Sequence, residues 1–176
     1  MKNILIVSLL LFLSMSGSAQ ILFLNDNGID FGMNKGDVAK ALEGKYKLKQ
    51  IRSVSVSGNS ETFALDKTYI LCKCNFEVLL NFESTDVLKS IYFAFTSADP
   101  GVFGVKEYKI NTFSNPEPVF SYIVNCVKEK YGDPKPHGPI RMGGIKIEQW
   151  EILNTVASVY WNTFATNNRI FITFEK

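Results

Sequence analysis

Residues 68–83 constrain the fold of this chain most strongly, because apolar side chains occupy every even-numbered position from Ile70 to Phe82. The odd-numbered positions mix charged, polar and a few apolar residues. An alternation of period two predicts a strand with one face on a core and the other mainly in water. We therefore expect residues 68–83 to form one long central strand whose apolar face is covered by helices.

The composition fits one globular domain. The chain has 176 residues, of which 46% are hydrophobic and 20% are charged, and this is enough for a single core of ordinary size. The net charge of +2 is too small to call for a polyanionic partner. Lys45, Lys47, Lys49 and Arg52 cluster, but no nucleic-acid-binding motif accompanies them. We interpret this cluster as solvated surface and expect no nucleic-acid partner.

The N-terminus has the three parts of a secretory signal peptide. Lys2 supplies a positive charge, residues 4–13 are largely apolar, and Gly17, Ser18 and Ala19 are small residues suited to cleavage. The apolar run is too short to span a bilayer, and no second run of 18 or more apolar residues follows. We expect cleavage after Ala19, a mature chain without a transmembrane span, and a periplasmic or secreted protein.

The rest of the chain alternates between helical and strand patterns. Asn34 and Asp37 form a capping-box-like pair that opens a short helix before Gly44, and Ser114 with Glu117 opens a longer one that Gly132 ends. Strands are predicted at residues 54–56, 87–97, 145–152, 156–161 and 169–174, in addition to 68–83.

These elements predict an α+β fold, in which two main helices pack on one face of an antiparallel sheet. Residues 1–19 are the expected signal peptide, and residues 20–176 are a single domain. Two parts of this domain, 20–97 and 114–176, share an order of one helix followed by antiparallel strands, and each helix ends near a Lys-Tyr pair. This shared order suggests a tandem duplication of a helix-plus-meander unit.

One resemblance lies in residues 32–42, which read GMNKGDVAKAL. This segment resembles the Gly-Met-polar opening, with later Val and Leu, of small outer-membrane assembly lipoproteins of the SmpA/OmlA type. The repeated order of helix and meander is similar to the β-lactamase inhibitor protein and to exported bacterial proteins of that fold. The resemblance implies a small α+β protein of the cell envelope. The inhibitory activity does not carry over, because nothing here identifies an inhibitory loop.

Two features depart from the lipoprotein pattern. No lipidation cysteine stands near the expected cleavage site, so a lipid anchor is not predicted. Residues 42–44 read Leu-Glu-Gly, where the lipoproteins usually end this helix with Leu-Gly.

The sequence offers no catalytic constellation. His137 is the single histidine and lies in a proline-rich loop, where no second histidine joins it. Neither a G-x-S-x-G elbow nor a phosphate-binding loop is present. Glu148 and Glu151 fall on opposite faces of a predicted strand, so they do not converge for acid-base chemistry. We assign no catalytic, cofactor-binding or metal-binding residue and expect no cofactor.

The three cysteines leave two interpretations open. Cys72 and Cys74 are two positions apart in the predicted strand and share a face, while Cys126 borders the apolar stripe of the longer helix. If that helix covers this face, Cys126 approaches one of the two, and the disulfide that we consider is Cys74–Cys126. The alternative is that all three are buried, unbonded thiols. A metal site is disfavoured, because only three thiols and no nearby histidine are present.

Residues 98–113 lose their period and predict a long connection that carries Phe103, Tyr108 and Phe113. Long loops often carry function. These aromatic side chains either bind a partner or tuck under the loop as a satellite cluster.

The function that we expect is a non-catalytic binding or interaction module of the bacterial cell envelope, whose partner is another envelope or extracellular protein. The alternative is an exported hydrolase or isomerase with an unrecognised active site. A catalytic site needs convergent titratable groups in a cleft, and one histidine with scattered carboxylates favours the binding module.

Overall fold

The computed structural model describes residues 21–51, 60–83, 86–99, 101–103, 108–109, 116–136, 145–152, 154–162 and 169–176. Within these ranges the protein is a mixed α and β structure built on one antiparallel sheet, which confirms the predicted α+β class. The helices are α1 (Leu22–Asn27), α2 (Lys35–Ala41) and α3 (Glu117–Tyr131). The strands are β1 (Leu48–Ile51), β2 (Glu61–Leu65), β3 (Tyr69–Leu71), β4 (Cys74–Phe82), β5 (Leu88–Ala98), β6 (Tyr108–Lys109), β7 (Ile145–Ile152), β8 (Thr155–Asn162) and β9 (Arg169–Glu175).

The sheet joins distant parts of the chain at its centre. Its order in the described ranges is β1-β2-β4-β5-β9-β8-β7, with β3 paired to β4 and β6 paired to β5. Phe93 on β5 lies opposite Val78 on β4 and opposite Ile172 on β9. The last strands of the two predicted parts of the domain, β5 and β9, are therefore neighbours.

The core lies on one face of the sheet, which we call the inner face. Phe93 is 1% exposed at its centre, and its ring packs edge-to-face against Phe76 and Phe174 in the sheet and Phe23 of α1. Tyr131 of α3 packs against Phe174 in the same way. Each large side chain that is fully buried here stabilises the fold by roughly 1.5 to 3 kcal/mol.

The predicted long strand 68–83 is wrong in its first part. Residues Cys72 and Lys73 both have a φ of +55° and form a two-residue turn, so β3 and β4 are a hairpin in which Leu71 lies opposite Cys74. This turn pairs an odd-numbered residue with an even-numbered one. The side chains on the inner face are therefore odd-numbered on β3 and even-numbered on β4. Ile70 is 62% exposed as a result, whereas the apolar positions of β4 are buried as predicted.

A β-bulge explains a second departure from simple alternation, on β5. Asn81 lies opposite Ser90 and Phe82 lies opposite Leu88, so Lys89 is an extra residue on its strand. Leu88 therefore turns to the inner face and is 1% exposed. Strict alternation instead places Leu88 on the other face from Ile91, although both are buried.

The helix starts follow local chemistry. The predicted cap of α2 is confirmed, because the Asn34 Oδ1 atom accepts a hydrogen bond of 2.9 Å from the backbone N–H of Asp37. Helix α1 was not predicted from its short apolar segment, and it ends at Gly28, whose φ of +64° suits glycine. None of the helices in the described ranges is long and apolar enough to cross a membrane.

The strands predicted at 145–152, 156–161 and 169–174 correspond to β7, β8 and β9. The predicted strand at 54–56 and the cap at Ser114 lie outside the described residues.

Candidate functional site

The outer face of the sheet, opposite the core, carries an apolar and aromatic surface. The strand register places its side chains in two rows that run across the sheet. One row is Glu77, Ala94, Phe171, Tyr160 and Ile147. The next row is Leu79, Tyr92, Thr173, Ser158 and Gln149.

Tyr92, Tyr160 and Phe171 form the centre of this surface, and we call these three residues the aromatic patch. The rings of Tyr160 and Phe171 stack with their centroids 5.0 Å apart and an interplanar angle of 20°. All three side chains are partly exposed, so the patch presents aromatic surface to solvent. An aromatic pair of this kind contributes about 0.5 to 1.5 kcal/mol beyond its buried area.

The patch also has a defined polar component. Burial, with a smaller effect of the nearby Tyr92, raises the pKa of Tyr160 to about 12. In the neighbouring row, Ser158 is 7% exposed, and its Oγ atom accepts a hydrogen bond of 3.2 Å from the Nε2 atom of Gln149. The patch therefore offers flat apolar rings with neutral hydroxyl groups, which suits contact with another protein.

Charged residues border the patch. Glu77 and Glu175 are exposed on the outer face, and Arg169 is exposed on β9. Glu151 at the β7 edge forms an ion pair with Lys135. The surface thus has an apolar centre and a charged rim, which is the usual layout of a protein-binding surface.

The raised pKa of Tyr160 gives a testable pH dependence. The Tyr160 hydroxyl loses its proton near pH 10 in the unfolded chain, whereas in the folded protein it keeps the proton to about pH 12. Its contribution to the free energy of unfolding is therefore present below pH 10 and is lost as the pH rises toward 12. We expect Tyr160→Phe, which keeps the stacked ring, to lose less stability than the wild type over this range. Urea titrations at about pH 8 and pH 11 measure the difference, and equal losses in both proteins would contradict the raised pKa.

The structure separates the three aromatic residues that the sequence singled out. Phe103 lies on the helix side, where its ring packs against Tyr122 of α3 with centroids 5.3 Å apart. Tyr108 belongs to β6 and lies opposite Ala98, but the structure does not describe its side chain. Phe113 is outside the described residues. For Phe103, these contacts favour the satellite cluster over a free binding surface.

We expect Phe103→Ala to lower the free energy of unfolding by about 1 to 2 kcal/mol, because a partly buried ring and its aromatic contact are lost. Chemical denaturation measures this loss. An unchanged stability together with weaker partner binding would restore Phe103 as a binding residue.

The disulfide that we considered, Cys74–Cys126, is not the one that forms. Cys126 is bonded to Cys72, with the Cα atoms 6.1 Å apart, and Cys74 is a free, buried thiol. The hairpin turn accounts for the difference, because it takes Cys72 out of the strand while Cys74 starts β4 on the core. Burial raises the pKa of Cys74 to about 12, with a smaller effect of Asp99, so this thiol is unreactive.

The described residues hold no group of three His, Cys, Asp or Glu side chains that could bind a metal ion. His137 lies outside them. Glu148 lies opposite Val159 on the inner face, and Glu151 lies opposite Val156 on the outer face, so the two carboxylates point to different faces.

None of the protein-family models, curated proteins or solved structures that were compared with the chain matches it.

Proposed function

We propose that the chain is a non-catalytic, exported binding module of the bacterial cell envelope, which recognises another envelope or extracellular protein through the outer face of its sheet. The observation that carries this proposal is the aromatic patch, where Tyr160 and Phe171 stack while staying partly exposed. Tyrosine and phenylalanine are enriched in protein interfaces and supply much of their binding energy.

The partner should present apolar side chains to the patch and basic side chains near its rim. Glu77 stands at the end of the row that contains Phe171 and Tyr160, and it is exposed. A basic group on the partner would complement this carboxylate and favour one orientation of binding.

The exported location rests on the signal-like residues 1–19 and is supported by the Cys72–Cys126 disulfide. Disulfides persist in oxidising compartments such as the periplasm and are rare in the cytosol. Mass spectrometry of the exported protein should find Gln20 as the first residue. Recovery of a chain that still begins at Met1 from the periplasmic fraction would contradict export with cleavage.

The predicted duplication belongs to the same proposal and has two supports. The two meanders run inward from opposite edges of the sheet and end in the neighbouring strands β5 and β9. The units that we compare are β2, β4 and β5 with α2, and β7, β8 and β9 with α3. In each unit the first residue of the helix forms an ion pair with the first strand. Lys35 of α2 pairs with Glu61 of β2, and Glu117 of α3 pairs with Lys146 of β7.

In this arrangement both main helices pack on the inner face, and the aromatic patch lies on the other face of the sheet. Superposition of α2, β2, β4 and β5 on α3, β7, β8 and β9 tests the duplication. Helices that fall on opposite faces after the strands are superposed would contradict it.

A binding experiment tests the function. Immobilised wild-type protein and the Phe171→Lys variant are incubated with envelope extract, and the captured proteins are compared quantitatively. Phe171→Lys places a charge in the centre of the patch, and we expect a loss of at least about tenfold in the specific partner. Ala39→Lys is the matched control, since it adds the same charge on the exposed side of α2.

The proposal fails if Phe171→Lys and Ala39→Lys capture the same proteins in the same amounts as the wild type. Thermal melts of the three proteins separate lost binding from lost folding.

A further inference from the structure

A second site lies on the helix side of the sheet, where a cavity of about 340 Å³ opens between α1, α3 and the β3–β4 turn. Its volume is at the lower end of the roughly 300 to 1,000 Å³ that is typical of small-molecule sites. The walls are mainly apolar, and they are formed by Leu22, Leu71, Val127, Tyr131, Phe174 and the Cys72–Cys126 disulfide.

The mouth of the cavity retains apolar surface. Leu22 is 43% exposed there, although large hydrophobic side chains are usually buried. The disulfide ties the β3–β4 turn to α3, so the opposite wall is covalently fixed. A preformed apolar cavity of this kind binds a ligand without first having to order its walls.

Lys130 supplies a positive charge at the same cavity. Its Nζ atom lies 5.5 Å from the centre of the Tyr131 ring, and no carboxylate of the described residues lies within salt-bridge distance of it. Burial lowers the pKa of Lys130, and the charge of Asp26 partly opposes this effect. The Lys130 side chain is exposed as a whole, and an anion bound at the cavity would stabilise its ammonium group.

Glu129 also lines the cavity. Burial raises the pKa of Tyr122, and Cys74 and Glu129 add to this shift. Asp26, in contrast, is the charge that acts on Lys130. Lys130 is the one basic side chain among the described residues that line the cavity, so it is the group with which an anionic ligand would pair.

We propose that this cavity binds a small apolar monoanion of the class of medium-chain carboxylates. The hydrocarbon chain lies among Leu22, Val127 and Phe174, and the carboxylate pairs with the Lys130 ammonium group. This site is separate from the aromatic patch, because it lies against the inner face of the sheet, and it is independent of the proposed protein partner.

The experiment is calorimetric titration of the disulfide-intact protein with octanoate, decanoate and decan-1-ol. Each buried methylene group should tighten binding about fourfold, so decanoate should bind roughly tenfold or more tightly than octanoate. Lys130→Gln should weaken decanoate about tenfold and leave decan-1-ol unchanged. Lys128→Gln is the matched control on the same helix, since Lys128 pairs with Asp133 at 2.6 Å and does not line the cavity.

Leu22→Trp locates the site, because it fills the exposed mouth of the cavity and should abolish binding of both ligands. Phe171→Lys on the outer face should leave decanoate binding unchanged, so failure of this inference and failure of the proposed function can be told apart. Melting temperatures confirm that each variant is folded.

Three results would overturn the inference. They are the absence of saturable decanoate binding, an equal effect of Lys128→Gln and Lys130→Gln, and unchanged affinities in folded Leu22→Trp.

Discussion

Removal of the Cys72–Cys126 disulfide should lower the free energy of unfolding by about 4 kcal/mol. The bond closes a loop with a sequence separation of 54, and the chain-entropy model assigns about this value to the restriction of the unfolded chain. For a domain of this size the melting temperature should fall by roughly 8 to 16 °C. Urea and thermal unfolding of the double variant Cys72→Ser/Cys126→Ser measure the effect.

The Cys74→Ala variant is the control for this experiment. It removes a buried thiol but keeps the bridge, so we expect a loss of only about 1 kcal/mol. Thiol titration of denatured, non-reduced protein should find one free thiol. Three free thiols in protein taken directly from the periplasm would show that the bridge does not form.

Replacement of Phe93 by alanine should cost about 3 to 5 kcal/mol, the usual range for a fully buried phenylalanine. Its ring touches four other rings, those of Phe23, Tyr69, Phe76 and Phe174. Chemical denaturation at neutral pH measures the loss.

Tyr92→Ala is the matched comparison. Tyr92 directly precedes Phe93 on the same strand, but its side chain faces outward and is partly exposed. We expect Tyr92→Ala to cost clearly less than Phe93→Ala. Equal costs would mean that the two faces of the sheet are buried to the same extent.

The sequence predicts those elements that are governed by local patterns. The alternation in β7, β8 and β9 and the cap at Asn34 depend on residues a few positions apart, and both were located correctly. The β3–β4 hairpin was missed because Cys72 and Lys73 are not residues that normally favour a positive φ. A glycine or asparagine in that turn would have revealed it.

The candidate site was beyond the reach of such patterns, because it depends on which strands pair. Tyr92 and Phe171 are 79 positions apart and become neighbours only because β5 pairs with β9. The sequence held one weaker sign of this site. Tyr92 and Ala94 fall on the polar side of their strand pattern, and exposed apolar or aromatic side chains on such a side often indicate binding. The choice of Cys74 failed for a related reason, since the missed turn decides which cysteine reaches Cys126.

Photo-crosslinking tests most directly whether the outer face of the sheet binds a partner. A photoreactive phenylalanine analogue is placed at Phe171 in the aromatic patch or at Lys40 on the exposed side of α2, and cells that produce the protein are irradiated. We expect a discrete adduct with one envelope or extracellular protein from position 171 and none from position 40. An adduct only from position 40, or none from position 171 in folded protein, would contradict this expectation.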